Sequence, residues 1–382
     1  MQTTDARHEA PLLEGLTVLD LSQGIAGPCC AMQLRQQGAR VIKVEPPEGD
    51  WARHMGRARA GQCAISLAYN AGKESAVIDT RTPAGRTALR KLAREADIVV
   101  QSFRPGVVER LGVDYASLAQ DRPDLIYVSI SGWGGTGPAA GLPAVDTVVQ
   151  AETGLMDLNR DASGRPHKVG LFVVDIVTGM HAAQGVFMAL LRRALRGGGR
   201  HIEVSMLQAA AAMQAYPVLD AHLHPEGAAA VNAPGGLFET RDGAHLYTSV
   251  ANDGMFRRMA EALGETQWLA DAGLAHSAGR IARARELNAR VAERLRGEDA
   301  AYWEQRLAEH DVLRGRVRTV RDLPQHPQAR HAGVFVYAEQ PGLGALPWPV
   351  PPGHEGGGAC APAPALGQHT EAVWAEFGLA SG

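Results

Sequence analysis

Six short apolar segments constrain this chain more than any other feature. They are LTVLDLS (Leu16 to Ser22), ARVIKVE (Ala39 to Glu45), SAVIDT (Ser75 to Thr80), DIVVQSF (Asp97 to Phe103), LIYVSIS (Leu125 to Ser131) and HIEVSM (His201 to Met206). Each is rich in β-branched residues and too short for a helix. Between them lie segments with helical spacing. GPCCAMQLRQQG stops at Gly38, and TPAGRTALRKLAREA carries Thr82 as its N-cap and Pro83 at its first position. A long run, IVTGMHAAQGVFMALLRRALR, follows Asp175 and ends at Gly197 to Gly199, with basic residues in its last turn. Near-continuous apolar strands alternating with helices predict an α/β fold with a mostly parallel sheet covered on both faces.

The 382 residues suffice for a large core and a second domain. Hydrophobic residues make up 45% and charged residues 21%, with a formal net charge of -3 and no block of one sign. That balance gives no electrostatic footprint for nucleic acid. No apolar run is read as long enough to span a bilayer, and the polar start MQTTDARHEAPLLEG is not a signal peptide. The expected location is cytoplasmic, with no membrane partner. Cys29, Cys30, Cys63 and Cys360 form no CxxC pair, so a zinc or redox motif is not expected, and Cys29-Cys30 reads as space-filling at a helix start.

Later in the chain, Pro225 to Gly236 turns to Gly, Ala and Pro and reads as a linker. Leu237 to Arg318 contains a hairpin (LFETRDGAHLYTSV, turning at Asp242-Gly243) and charged amphipathic helices. Pro341 to Pro364 is expected to have little regular structure, and TEAVWAEFGL is a closing helix.

Several stretches could carry chemistry. VLDLSQGIAGP with Glu45 suggests a dinucleotide site, but Gly24-x-x-Gly27-Pro28 lacks the GxGxxG spacing, and Pro28 removes an N–H that a phosphate would use. SGWGGTGP (Ser131 to Pro138) is either a loop needing positive φ or a row of backbone N–H groups for a ligand oxyanion. Lys73, Arg104 and Arg110 flank strand ends and together could meet a phosphorylated ligand. His222-x-His224 has no partner cluster, and no metal site is expected. The sharpest case is LFVVDIVTGMH. Leu171 to Val174 read as a buried strand end, so Asp175 is either the N-cap of the helix that follows or a nucleophile kept ionised at neutral pH by that helix's N-terminus.

Taken together, LEGLTVLDLSQGIAGP, GARVIKVEPPEGDWAR, FRPGVVERLGVDY, SGWGGTGP, VVDIVTGMHAAQG, IEVSMLQAA and ALGQHTEAVWAEFGL resemble one family across almost the whole chain. It is the class III coenzyme A transferases, which include formyl-CoA and carnitine CoA transferases and the related α-methylacyl-CoA racemases. The resemblance implies an interlocked homodimer. Each chain would have a Rossmann-like large domain (1–215 and 335–382), a smaller α+β domain (230–325), and linkers at 216–229 and 326–334. It makes Asp175 the nucleophile and places Gly132, Trp133, Gly134 and Gly135 at the acyl site. Lys73, Phe103, Arg104 and Arg110 fall at or next to coenzyme A contacts, with Ile25 and Ala26 at the pantetheine. Acyl-CoA and small carboxylic acids would be substrates, with no permanently bound cofactor and no metal. The implied reaction is ping-pong, through an aspartyl mixed anhydride and an aspartyl-CoA thioester.

The chain departs from the family at three places. Asn-Arg-Asn-Lys-Arg is Asn70-Ala71-Gly72-Lys73-Glu74 here, a charge reversal expected to alter coenzyme A affinity. Glu-Asn before FRPG is Gln101-Ser102, and the loop aromatic is Trp133. Racemisation is the nearest rival function. It needs acid and base on opposite sides of the α-carbon, and where the racemases have His this chain has Val145. A non-catalytic acyl-CoA binder is the second alternative and a dinucleotide oxidoreductase the third.

Overall fold

The computed structural model describes residues 11–161, 163–225, 227, 231–353 and 361–379. The chain divides into two compact units, Met1–Tyr216 with Gly333–Gly382, and Pro217–Ala332. Cys360 lies outside the described residues.

In the first unit the apolar segments form β1 (Thr17–Asp20), β2 (Arg40–Glu45), β3 (Glu74–Val77), β4 (Ile98–Gln101), β5 (Ile126–Ser131) and β6 (Arg200–Ser205). They make one six-stranded sheet, ordered β3-β2-β1-β4-β5-β6, and every pairing is parallel. Strand residues alternate between two cores. Leu19, Ile42, Ala76, Val99 and Tyr127 pack on one face, and Val18, Val41, Val100, Val128 and Ile130 on the other. This is the physical reason the segments carry apolar residues on both faces rather than in strict alternation with polar ones. The strand order reverses between β1 and β4, so connections leave the sheet in opposite directions and open a crevice at the carboxyl ends.

The covering helices include α1 (Ala26–Gln36), α2 (Ala64–Asn70), α3 (Pro83–Glu95), α4 (Asp146–Glu152), α5 (Val173–Arg196) and α6 (Met206–Met213). The cap of α3 is as the sequence predicts, with Gly85 N–H donating to Thr82 Oγ1 at 3.0 Å. α5 packs along α1 through small residues. A Cβ on Gly179 would lie 2.6 Å from the Ala26 carbonyl oxygen, so glycine permits the close approach.

α5 corrects two expectations. Its 24 residues are long and apolar enough, by length and composition, to cross a membrane. Much of that apolarity serves the core, where Thr178, Gly179, Ala182, Ala183, Val186 and Ala189 are buried. The helix also starts earlier than its sequence suggests. Its N-cap is Phe172, so Val173 and Val174 are helical rather than the end of a strand.

The second unit contains the expected hairpin. β7 (Gly235–Glu239) pairs with β8 (His245–Ser249), and β9 (Leu313–Arg316) lies on the far side of β8. α7 (Asp253–Leu263), α8 (Ala284–Leu295) and α9 (Ala300–Glu309) supply Phe256, Met259, Leu287, Val291, Trp303 and Leu307 to its core. The stretch 216–229, read as a linker, is helical over Ala215–Leu223.

The chain after Pro341 is more regular than its composition suggests. β10 (Phe335–Gln340) and β11 (Gly344–Pro349) form an antiparallel ribbon. Pro347 and Pro349 sit two residues apart on β11, while Val350 N–H turns inward to the Val334 carbonyl at 2.8 Å. The missing proline donors therefore fall on the outer side, where a strand tolerates them. The closing helix α10 (Thr370–Glu376) covers the edge of the sheet. Ser75 N–H donates to His369 Nδ1 at 3.1 Å and Val77 N–H to Thr370 Oγ1 at 3.0 Å, pairing groups that an edge strand leaves open.

Candidate active site

At the carboxyl ends of β1, β4 and β5 lies a cleft of about 660 Å³. Its walls come from the β1–α1 turn (Gln23, Ile25, Ala26), the loop after β4 (Ser102, Phe103, Arg104), Gly132 after β5, and Trp51, Val145, Asp146, Phe172 and Asp175. Ligands bind parallel sheets at such a position.

Asp175 reaches the cleft from the first turn of α5. It is not the N-cap. The free N–H groups at the start of α5 are taken by another acid, Asp146, whose Oδ2 accepts from Val174 N–H at 2.8 Å and Asp175 N–H at 3.1 Å. Gln150, one turn along α4, donates to the other oxygen of Asp146. Its Oε1 accepts from Val169 N–H at 2.9 Å, which anchors the segment entering α5.

Among the described residues, the Asp175 carboxylate has no ion pair and no hydrogen bond. Burial, and then the charge of Asp146, push its carboxyl up to about 7. This overturns the expectation that the helix N-terminus keeps Asp175 fully ionised at neutral pH. The N-terminal dipole and its donors serve Asp146, and Asp175 titrates near neutrality. A carboxylate so placed is weakly solvated and unpaired, two conditions that favour nucleophilic attack.

The other predicted site residues separate. Ile25, Ala26, Phe103, Arg104 and Gly132 line the cleft with Asp175. Trp133 packs instead against the buried cluster of Val149, Val174, Met206 and Ala210, and its Nε1 donates to the Pro143 carbonyl at 3.3 Å. Gly134 and Gly137 have φ of 107° and 94°, so both readings of the glycine loop, positive φ and ligand-facing backbone, stay open. Gly134 N–H donates to Ser131 Oγ at 3.1 Å, and Gly135 lies outside the cleft wall, next to Glu203. Arg110 is exposed on the short helix Val107–Leu111 and does not line the cleft.

Lys73 is placed furthest from its predicted role. Its side chain is fully buried, with Nζ 2.8 Å from Asp20 Oδ2 and 3.0 Å from the Pro28 carbonyl. An ammonium so enclosed is not available to a phosphate in this structure. The neighbouring Glu74, where the family has Arg, is balanced by Arg40 at 2.8 Å. Cys29 and Cys30 are buried on α1, and burial pushes the Cys29 thiol up to about 11, so neither is poised as a thiolate.

Sequence reasoning left Asp146, Gln150 and Trp51 out of the site. A signal for Asp146 was present, because Val145-Asp146-Thr147-Val148 repeats the pattern of Val174-Asp175-Ile176-Val177. Trp51 packs closely against Gly24, where a Cβ would come within 2.4 Å of the indole, and Gly24 has φ of 82°.

Residues 13–370 match CoA-transferase family III. The chain is 31% identical to the succinate–glutarate CoA-transferase of Agrobacterium fabrum over 98% of each chain. It is 33% identical to the acetyl-CoA:oxalate CoA-transferase of Acetobacter aceti over 79% of each. The crystal structure of a CaiB/BaiF family protein from Brucella suis superposes with a TM-score of 0.85 at 31% identity, covering 97% of this chain and all of that one (100%). The chain therefore belongs to CoA-transferase family III and, with it, to the enzymes that transfer coenzyme A.

Proposed function

We propose that the protein moves coenzyme A from an acyl-CoA donor to a carboxylic acid acceptor through covalent intermediates on Asp175. The observation that carries this reading is the unpaired Asp175 carboxylate in the wall of the cleft, backed by Asp146. Asp175 attacks the thioester carbonyl, the C–S bond breaks, and a mixed anhydride and CoA thiolate result. The thiolate attacks the aspartyl carbonyl and expels the donor acid, leaving an aspartyl-CoA thioester. An acceptor carboxylate attacks that thioester and releases the thiolate. The thiolate then takes the acceptor's acyl group and restores the carboxylate. No proton is consumed across the cycle.

Ile25, Ala26, Phe103 and Arg104 are the proposed coenzyme A contacts in the cleft wall, with Arg110 on the helix beyond. Gly132 to Gly135 are the proposed acyl-site loop. A developing oxyanion there is stabilised by backbone donors, each worth on the order of 10²–10³ in rate. Racemisation would need a second proton carrier. Val145 has none, and both oxygens of Asp146 are engaged by Val174, Asp175 and Gln150.

A homodimer is part of the proposal. Met180, Met188, Leu191 and Leu195 on α5, with Leu207 and Met213 on α6, leave a large apolar face uncovered, which supports a second copy against it. The unpaired thiols of Cys29, Cys30 and Cys63 fit a cytoplasmic setting.

The test is peptide mass spectrometry after mixing the protein with a panel of acyl-CoAs and a hydroxylamine or borohydride trap. A trapped adduct on the Asp175 peptide, missing in Asp175→Ala, is the expected result. Turnover with no adduct at Asp175 for any donor would overturn the mechanism.

A further inference from the structure

We infer that Lys43 and Lys73 form a buried clamp that shapes the wall of the coenzyme A cleft without touching the ligand. The inference rests on the reading of that cleft as the coenzyme A site. The clamp holds the β1–α1 turn at both ends. Lys43 Nζ donates to the Ser22 carbonyl at 2.9 Å, where the chain leaves β1. Lys73 Nζ donates to the Pro28 carbonyl at 3.0 Å, inside α1. Between these points the turn supplies Gln23, Ile25 and Ala26 to the cleft.

Two acids complete the device. Asp20 at the end of β1 lies 2.8 Å from Lys73 and 4.0 Å from Lys43, and Ser22 donates to it. Asp50 lies 2.9 Å from Lys43 and accepts from Gly24 N–H at 3.0 Å, in the middle of the turn. Asp50 also caps the short helix that begins at Trp51, since Ala52 N–H donates to it at 2.9 Å. The four side chains are fully buried and their formal charges balance, two against two. A flexible glycine turn is thereby fixed by charge-assisted bonds in a dry interior, where such bonds are strongest and the loss of one partner is felt most. A lysine used to grip a phosphate would need an exposed ammonium. Lys73 is fully buried and commits two of its three donors to Asp20 and Pro28.

The test separates positioning from contact. In Lys73→Met, hydrogen exchange of the ligand-free protein should show faster exchange at the amides of Ser22 to Ala26, with the sheet beyond them unchanged. Unchanged exchange across the turn would overturn the clamp. CoA and pantetheine are then titrated against both proteins. Pantetheine lacks every phosphate, so a positioning residue weakens both ligands by the same factor, about tenfold on the scale of a small misplacement. A loss confined to CoA would mean a direct phosphate contact and would overturn the inference. In turnover, KM should rise while kcat at saturation stays within about twofold, because Asp175 is untouched. Should Lys73→Met fail to fold, the double variant Asp20→Asn/Lys73→Met removes both charges but still lacks the bond to Pro28, and the same measurements apply. Should the wild type bind neither ligand, the coenzyme A reading of the cleft fails, and the exchange arm alone still decides the clamp.

Discussion

Two groups of acids lie at the carboxyl edge of the same sheet, and they differ in what faces them. At β1 and β2 each acid meets a cation: Asp20 with Lys73, Glu45 with Arg53, Asp50 with Lys43. Burial would raise Asp20 and Glu45, yet the neighbouring cations outweigh it and hold both below the usual carboxylate range. At the start of α5, Asp146 receives amide donors and Asp175 receives no partner among the described residues. There burial wins, and Asp175 rises to about 7. Asp20, the more deeply buried of the two, is thus held as framework, whereas Asp175, only partly buried, is the proposed reactive group. The deciding variable is the partner rather than the depth.

The largest expected effect tests the reactive side of this contrast. Asp175→Asn removes the attacking oxygen while keeping size and shape. Transfer should fall on the order of 10⁴-fold or more, with coenzyme A binding retained. Steady-state rates with a competent donor and acceptor check this, and a loss under tenfold would move the chemistry elsewhere. The next effect tests the framework side. Lys43→Met strands Asp50 in a dry interior, and breaking a buried pair in this way costs about 3–5 kcal/mol. Urea denaturation measures it. A change below about 1 kcal/mol would mean that the buried acids near β1 are not held by charge.

The third effect uses pH. Asp175 has a folded pKa of about 7, against an ordinary value of 3.8. The folded protein therefore binds more protons than the unfolded chain between these limits, and this group's contribution is full below the lower value and lost as pH rises through the upper. Asp175→Asn, which never ionises, should match the wild type near pH 4 and be more stable at pH 8, by roughly 1–4 kcal/mol. Stability that rises when the proposed nucleophile is removed would mark a site built for reactivity. An Asn variant less stable at pH 8 than the wild type would show that Asp175 is a structural cap after all. Asp146→Asn carries the companion expectation. Losing the neighbouring charge moves the acid limb of the rate profile to lower pH, but burial, the larger cause, keeps it above the ordinary carboxylate range.

The sheet was legible because its signal is local. Segments such as ARVIKVE and LIYVSIS carry apolar, β-branched residues on both faces, and Thr82-Pro83 marks a helix start by its own chemistry. Asp175 was legible as a carboxylate in an apolar run. Its environment was not, because the group that takes the α5 amides is Asp146, 29 positions away in sequence. Lys73 shows the same limit. A charged residue beyond a strand end reads as surface, and its burial depends on Asp20, 53 positions earlier. The β10–β11 ribbon was hidden by Pro347 and Pro349, whose composition argues for loop until their place on the outer side of a strand is known.

The smallest effect sharpens the comparison from outside both groups. Glu74 stands where the family has Arg, next to buried Lys73, and the charge reversal suggested altered coenzyme A affinity. In the fold, Glu74 points to the surface. Its oxygens meet Arg40 at 2.8 and 2.9 Å, and Arg40 also pairs with Glu376 of α10 at 2.5 Å. All three side chains are partly exposed, from 29% to 49%. An ion pair that water can screen contributes about 0–1 kcal/mol. Glu74→Gln should therefore change stability by less than about 1 kcal/mol and leave coenzyme A affinity within about twofold of the wild type. Glu74→Arg restores the family's residue but sets a like charge beside Arg40. It should destabilise slightly and leave affinity unchanged at moderate salt, where surface charges are screened beyond about 8–10 Å. A tenfold gain in coenzyme A affinity in Glu74→Arg would place this position at the ligand, and the line drawn here between paired framework and reactive cleft would have to move outward to include it.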